Sequence, residues 1–176
     1  MSEKYFTRPR ILAALQALGD ELARQGVHGQ IFIVGGAAMA LAYSSRRVTK
    51  DIDAVFEPKS VIYQAAATVA DDMGLPEDWL NDAVKGFMPG ADRDAIRIPG
   101  GPNIEITTAS PRYLLAMKLM AMRFGEDDED IRLLLAECGI RTAADALGLL
   151  EHLYPYQQSP LKTKFFLEEL LGPVKP

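Results

Sequence analysis

The sequence predicts an α/β (α+β) fold, in which a small mixed sheet with flanking helices precedes a C-terminal helical subdomain. Two observations lead to this prediction. Short β-branched or alternating segments occur between helical segments up to about residue 109, and the apolar residues after that point recur with helical spacing. The predicted division is therefore an α/β core over residues 1–109 and a helical subdomain over residues 110–176.

The first predicted elements are a helix and two strands. Apolar residues recur with helical spacing between Ile11 and Leu22, and Gly26 is a plausible helix stop. Residues 30–34 form a short β-branched run typical of a buried strand, whereas residues 50–56 alternate polar and apolar side chains as a half-buried strand does. Further helices are expected at residues 37–43 and 60–73.

The following region contains an irregular stretch and two more strands. Residues 75–90 are rich in turn-forming residues and show no period. Residues 95–98 and 103–107 are predicted to be strands, joined by a hairpin-like connection at residues 99–102. Helix-start signals then recur down the chain: Ser110-Pro111, the acidic run from Asp127, Thr142 with Asp145, and Ser159-Pro160.

Composition excludes several classes of protein. Of the 176 residues, 48% are hydrophobic and 24% charged, which excludes disordered, collagen-like and coiled-coil chains. The single cysteine, Cys138, excludes an internal disulfide and a cysteine-based zinc cluster. No signal peptide or spanning segment is visible, so we expect a cytoplasmic protein with no membrane partner. The net charge of −5 is uneven, and the basic first third could form a phosphate-facing surface or simply a solvated one.

Two aspartates and two glycines form the most informative pattern. Asp51 and Asp53 lie two apart on a predicted strand, so their carboxylates share one face and need a cation between them. Gly35-Gly36 ends the preceding strand where a helix begins, and such a turn lets backbone N–H groups approach phosphate oxygens. Metal-binding carboxylates beside a phosphate cradle are the parts needed for metal-assisted phosphoryl or nucleotidyl transfer.

This arrangement resembles the nucleotidyltransferase superfamily of the DNA polymerase β type. The resemblance rests on Val34-Gly35-Gly36 followed by Arg47-Val48-Thr49-Lys50-Asp51-Ile52-Asp53, and it is most similar to bacterial AbiEii/MenT-type toxin nucleotidyltransferases and their uncharacterised relatives. It covers about residues 30–135, because a lysine-bearing helix with Lys118 and an acidic segment with Asp127 and Asp130 follow in the family's order. Gly36 replaces the usual serine of the glycine turn, and Glu105 stands where aspartate is commoner.

The resemblance implies roles for individual residues. Asp51, Asp53 and Glu105 would converge in space and hold two Mg²⁺ (or Mn²⁺) ions. The NTP phosphates would contact Gly35, Gly36, Arg47, Thr49 and Lys118. Asn81, Asp127 and Asp130 would contact these residues rather than the NTP. Simpler interpretations stay open for some of them: a solvated turn for Arg47, favourable acids at a helix N-terminus for Asp127 and Asp130, and for Lys118 a stem packed on the helix with its ammonium in water.

The function expected from this resemblance is transfer of an NMP from an NTP to an acceptor hydroxyl. The acceptor would be tRNA, a protein or a small molecule, and the protein would be a toxin with a cognate antitoxin. An alternative is a non-catalytic nucleotide-binding or regulatory module of the same fold, and the position of Glu105 would distinguish the two. A dinucleotide-binding oxidoreductase is disfavoured, because Gly35-Gly36-Ala37-Ala38-Met39-Ala40 lacks the G-x-G-x-x-G spacing.

Overall fold

The computed structural model describes residues 5–44 and 46–174, and the chain divides into two units. The first unit contains residues up to 86 together with residues 94–109, and the second contains residues 87–93 together with those from 110 onward. The segment 87–93, placed in the core by the predicted boundary at residues 109 and 110, therefore belongs with the helical unit. Residues 1–4, 45, 175 and 176 of the predicted domains lie outside the described residues.

The first unit contains three α-helices and five strands among its described residues. A π-helical turn over Met39–Tyr43 continues the second helix, and a 3₁₀ turn over Ala83–Phe87 follows the third strand. The helices are α1 Arg8–Gln25, α2 Gly35–Ala38 and α3 Lys59–Met73, and the strands are β1 Gly29–Ile33, β2 Ile52–Glu57, β3 Leu80–Asn81, β4 Ile96–Ile98 and β5 Ile104–Thr108.

The strands form one mixed sheet in the order β3-β2-β1-β5-β4. β1 pairs antiparallel with β2 and parallel with β5, while β4 and β5 form the predicted antiparallel hairpin. One face of the sheet is apolar and is packed by α1 and α3. Alternation along each strand puts the polar residues on the opposite face. The buried face of the sheet consists of Ile31, Ile33, Ile52, Ala54, Phe56 and Ile106.

The second unit is helical, as predicted. Ser110 caps its first helix by accepting a hydrogen bond from the Tyr113 backbone N–H, and Thr142 caps the third in the same way through Asp145. Pro160, rather than Ser159, is the capping residue of the last helix. The helices are α4 Pro111–Ala121, α5 Asp128–Glu137, α6 Ala143–Leu153 and α7 Leu161–Leu171.

Tyrosine hydroxyls hold the segment 87–93 within the second unit. Tyr113 donates to the carbonyl oxygen of Gly90 at 2.6 Å, and Tyr154 donates to that of Phe87 at 2.8 Å. Burial raises the pKa of Tyr154 to about 12, so its hydroxyl keeps its proton. The Asp92 carboxylate accepts from both the backbone N–H and the hydroxyl of Ser110. Side-chain hydrogen bonds to the later helices therefore fasten this segment.

The structure confirms the predicted fold class and adds two short elements that the sequence did not reveal. β3 and the 3₁₀ turn lie in the stretch predicted to be irregular, and Trp79 beside them is fully buried. The Trp79 indole N–H donates to the Ala66 carbonyl oxygen, so this residue packs in the core. Across the described part of the chain, no helix combines the length and the apolar character that crossing a membrane requires.

Candidate active site

The two glycines lie directly against the aspartate segment. Gly35 has a φ of 64°, in the left-handed region that favours glycine, and a Cβ placed on it would lie 3.2 Å from the Asp53 Oδ2 atom. A Cβ on Gly36 would lie 2.8 Å from the Thr49 hydroxyl oxygen. The absence of side chains at both positions therefore lets the turn contact Asp53 and Thr49 closely.

The turn opens a helix whose N-terminus faces the same region. Val34 precedes α2, and its backbone N–H donates to the Asp53 carbonyl oxygen at 2.9 Å. The first N–H groups of a helix have no intrahelical partner and carry a partial positive charge. The helix then widens into the π-helical turn, a geometry frequent at functional sites. The sequence pattern predicted this strand, turn and helix, although the helix starts two residues earlier than expected.

Thr49 is positioned by bonds on both sides. Its backbone pairs with that of Phe6, which is buried and stacks on Trp79. The Thr49 hydroxyl donates to the Asp51 carbonyl oxygen at 3.0 Å. Nothing in the local sequence pattern predicted that Phe6 would hold this segment. Arg47 lies in the turn before Thr49, half-buried, and its Nε atom is shielded from solvent.

The aspartates take the arrangement that strand alternation predicted. Ile52 and Ala54 are fully buried, whereas Asp51 and Asp53 are half-buried. Asn81 on β3 is in register with Asp53, and its amide nitrogen donates to the Asp51 Oδ2 atom at 3.2 Å. The structure thus brings Asp51, Asp53 and Asn81 together at one end of the sheet.

A polar network fastens the chain next to Asn81. The Asp82 carboxylate accepts from the Tyr63 hydroxyl at 2.6 Å and pairs with the Lys59 ammonium at 2.5 Å. The hydrogen bond from Lys59, followed by that from Tyr63, lowers the pKa of Asp82. These contacts join α3 to the end of β3 and so fix the position of Asn81. No local sequence pattern indicated this network, because Lys59 and Tyr63 lie about 20 residues before Asp82 in the chain.

Glu105 does not lie with Asp51 and Asp53, so the prediction that the three converge is wrong. Glu105 is in register with Gln30 on β1, whereas Asp53 lies opposite Val34, four residues further along. At about 3.3 Å per residue, Glu105 is displaced by about 13 Å along the strands. Its carboxylate instead pairs with Arg97 at 2.7 Å. In residues 5–44 and 46–174, no three Asp, Glu, His or Cys side chains are grouped so that they could hold a metal ion.

Lys118, Asp127 and Asp130 come together in the second unit. Lys118 is 8% exposed, and its ammonium lies 3.0 Å from Asp127 Oδ1 and 2.9 Å from Asp130 Oδ2. Arg123 adds hydrogen bonds from its backbone N–H and its guanidinium to Asp127. Burial alone would raise the pKa of Asp127, but the bonds from Arg123 and the charge of Lys118 outweigh it and lower that pKa.

This ion-pair cluster gives Lys118 a structural role. Its ammonium does not extend into water, because two carboxylates of its own unit hold it. Its predicted contact with a phosphate stays a prediction. The acidic segment likewise does more than favour a helix N-terminus, since Asp127 and Asp130 neutralise a buried lysine.

One comparison with known proteins bears on this site. Residues 10–155 match the model of a family described as nucleotidyltransferase of unknown function (DUF6036). The match covers all five strands, the glycine turn, both aspartates and Asn81, and it ends before α7. No curated protein matches the chain.

Proposed function

Because the chain belongs to this family of nucleotidyltransferases of unknown function, we propose that it transfers a nucleoside monophosphate from an NTP to an acceptor hydroxyl. The observation that carries the proposal is the packing of Gly35 against Asp53 and of Gly36 against Thr49. This packing sets the start of a helix beside two carboxylates on the polar face of the sheet. Phosphate oxygens and a divalent cation need these two features next to each other.

The donor set fits one Mg²⁺ or Mn²⁺ ion better than two. Asp51 and Asp53 offer carboxylate oxygens, and Asn81 lies beside them with an amide. Mg²⁺ commonly binds through one or two carboxylates together with substrate phosphates and water. With Glu105 elsewhere, a third carboxylate for a second ion is missing from the described residues. A bound Mg²⁺ would neutralise charge on the phosphates and orient the attacking oxygen.

The remaining residues would bind and orient the NTP. The backbone N–H groups of Gly35 and Gly36 would donate to phosphate oxygens, and the absence of side chains there would allow the close approach. Arg47, which follows in the turn, would supply positive charge to the triphosphate. The acceptor oxygen would form a bond to the α-phosphorus while the bond to the leaving pyrophosphate breaks, and the acceptor's proton would be released.

Acceptor and biological role are further parts of the proposal. The resemblance to toxin nucleotidyltransferases favours tRNA or a protein hydroxyl as the acceptor, with a small molecule as a third choice. It also favours a role as the toxin of a pair with a cognate antitoxin. These parts rest on the pattern around Asp51 and Asp53 and need direct tests.

A second function is favoured by one observation, the position of Glu105. A site with two carboxylates could bind an NTP and its metal without transferring the nucleotide. The chain would then be a nucleotide-binding or regulatory module of the same fold.

Labelled NTPs would distinguish the two functions. The chain is incubated with each α-³²P NTP, Mg²⁺ and total RNA or cell lysate, and labelled products are sought. We expect one NTP to label an acceptor, and Asp53→Asn to abolish the labelling while Glu105→Gln retains it. If calorimetry shows metal-dependent NTP binding but no NTP labels any product, the non-catalytic function is correct. Equal NTP affinity with EDTA and with Mg²⁺ would contradict both.

A further inference from the structure

The last helix presents an apolar face to solvent. Leu161 and Phe165 are 65% and 62% exposed and lie four residues apart, so they occupy one face of α7. Phe124, which is 57% exposed, packs edge-to-face on Phe166 of the same helix. Large apolar side chains grouped on a surface mark an interaction site more often than isolated ones do.

The opposite face of α7 holds the helix in place. Phe166 and Leu167 are buried. The Thr163 hydroxyl donates to the Leu119 carbonyl oxygen at 2.8 Å, and the Lys162 ammonium donates to that of Met122 at 2.7 Å. Other residues therefore hold α7 in place, and Leu161 and Phe165 are exposed on its outer face.

The charges on α7 run against the helix dipole. Lys162 and Lys164 lie near its N-terminus, and Glu168 and Glu169 lie near its C-terminus. A helix is stabilised by the reverse order, with acids first and bases last. This order is unfavourable for the helix dipole, although Lys164 and Glu168 have the spacing of an i,i+4 pair, and it suits a partner whose charges run the opposite way.

A second copy of the same helix, packed antiparallel, has that charge order. If a two-fold axis passes beside Phe165, helical geometry of 100° per residue places Lys164 opposite Glu168 of the other copy. The two Phe165 rings meet at the axis, flanked by both Leu161 side chains. Such an interface is self-complementary, as the two-fold symmetry of a dimer requires.

We propose that this chain forms a homodimer through the face of α7 that carries Leu161 and Phe165, with the two helices antiparallel. The interface lies in the segment that follows the family match, so it is a feature additional to the proposed nucleotidyl transfer. The dimer does not depend on that activity and can be tested without it.

The first test measures the mass of the full chain by sedimentation velocity over a series of concentrations. We expect a dimer with a dissociation constant of roughly micromolar order, as a small interface gives. Phe165→Glu should yield a monomer with unchanged circular dichroism. Tyr156→Glu is the matched control, because Tyr156 is 99% exposed and precedes α7, and it should remain dimeric. A monomeric wild-type chain, or a dimeric Phe165→Glu variant, would overturn the proposal.

The second test fixes the antiparallel arrangement. Lys164→Glu and Glu168→Lys should each weaken the dimer about tenfold, because each places like charges across the axis. The double variant in one chain should restore the wild-type dissociation constant, since every reversed charge again faces its opposite. Failure of the double variant to recover dimerisation would overturn the arrangement, whatever the single variants show.

Discussion

Two groups of carboxylates in this chain have different partners. In the helical unit, Asp127 and Asp130 are buried, and the Lys118 ammonium lies between them with Arg123 alongside. In the sheet unit, Asp51 is half-buried, and its side-chain partner among the described residues is the neutral Asn81 amide. The fold supplies a counter-charge for the buried carboxylates, and removing it would be costly, whereas the partner of the Asp51 carboxylate is a neutral donor that leaves room for a cation from solution.

The difference follows from what each unit can bury. A buried carboxylate without a cation is too costly to persist, so α4 and α5 supply one. At the end of the sheet, the carboxylates reach solvent, and the backbone of the glycine turn positions the neighbouring groups. Similar acids therefore serve packing in one unit and, in our proposal, chemistry in the other.

Removing the buried cation should cost the most. Lys118→Met leaves two carboxylates in a buried site, and we expect the free energy of unfolding to fall by about 3–5 kcal/mol. Denaturant unfolding followed by circular dichroism measures this loss. Arg132→Met, on the exposed face of α5, is the control and should change stability by less than about 0.5 kcal/mol. A stable Lys118→Met protein with weakened NTP binding would instead support the phosphate contact predicted from sequence.

A side chain added to the glycine beside Asp53 should lower both the stability and the NTP affinity, with a smaller loss of stability than Lys118→Met. Gly35→Ala puts a Cβ at a φ of 64° and 3.2 Å from the Asp53 Oδ2 atom. We expect a loss of about 1–2 kcal/mol in stability together with weaker NTP binding. Gly86→Ala, where a Cβ would have open space, should change neither. Unaltered stability of Gly35→Ala would contradict the left-handed turn.

Neutralising an acid in the sheet unit should change binding rather than stability. Asp51→Asn removes one charge from the site, and we expect metal-dependent NTP affinity to fall about tenfold, or about 1.4 kcal/mol. Calorimetry with and without Mg²⁺ measures the effect, and Glu105→Gln serves as the control at a paired surface acid. A several-kcal/mol loss of stability in Asp51→Asn would show that the two groups of carboxylates do not differ as described.

The helical unit should also respond to acid. The pKa of Asp127 is lowered in the folded protein. Its contribution to the free energy of unfolding is therefore fully present above 3.8, the pKa of the carboxyl in the unfolded chain. That contribution is lost as pH falls from 3.8 through the lower folded pKa. Urea midpoints measured across this range should fall in the wild type and vary less in Asp127→Asn. A parallel pH dependence in both proteins would remove Asp127 as the cause.

Removing a buried hydroxyl should produce the smallest change in stability. Thr108 and Thr163 are both fully buried, but the Thr108 hydroxyl has no hydrogen-bond partner among the described residues, while Thr163 donates to Leu119. We expect Thr108→Val to raise stability by about 0.5–1 kcal/mol and Thr163→Val to lower it by about 1 kcal/mol. Thermal unfolding of the two variants measures both. Equal losses would mean that the Thr108 hydroxyl has a partner.

Local patterns in the sequence were sufficient for four of the five strands among the described residues, for the α-helices and for the shared face of Asp51 and Asp53. Glu105 was misplaced for a definable reason. Alternation predicts which face a strand residue occupies, but sliding a strand by two or four residues leaves the alternation unchanged. The sequence could therefore predict which face of the sheet Glu105 occupies. It could not predict which residue of β1 lies next to Glu105. β3 has two residues, too few to show any period, so its pairing with β2 could not be foreseen.

The cluster around Lys118 was partly within reach of the sequence. A lysine among apolar residues on a helix needs a counter-charge, and Asp127 with Asp130 was the next acidic pair with helical spacing. The interpretation directed that lysine toward a ligand instead of toward its own unit. A buried lysine is therefore better matched first with nearby acids of the same chain before a ligand is assigned to it.

The way in which residues 87–93 are fastened has a consequence for the order of synthesis. This segment leaves the ribosome before Ser110, Tyr113 and Tyr154, the residues that will donate to Asp92 and to the carbonyl oxygens of Gly90 and Phe87. β5, which completes the sheet, is also made after it. During synthesis, these hydrogen-bond acceptors therefore have no protein donor until residues up to 67 positions later have been added. A gene fragment that stops at residue 109 would leave those acceptors to water permanently.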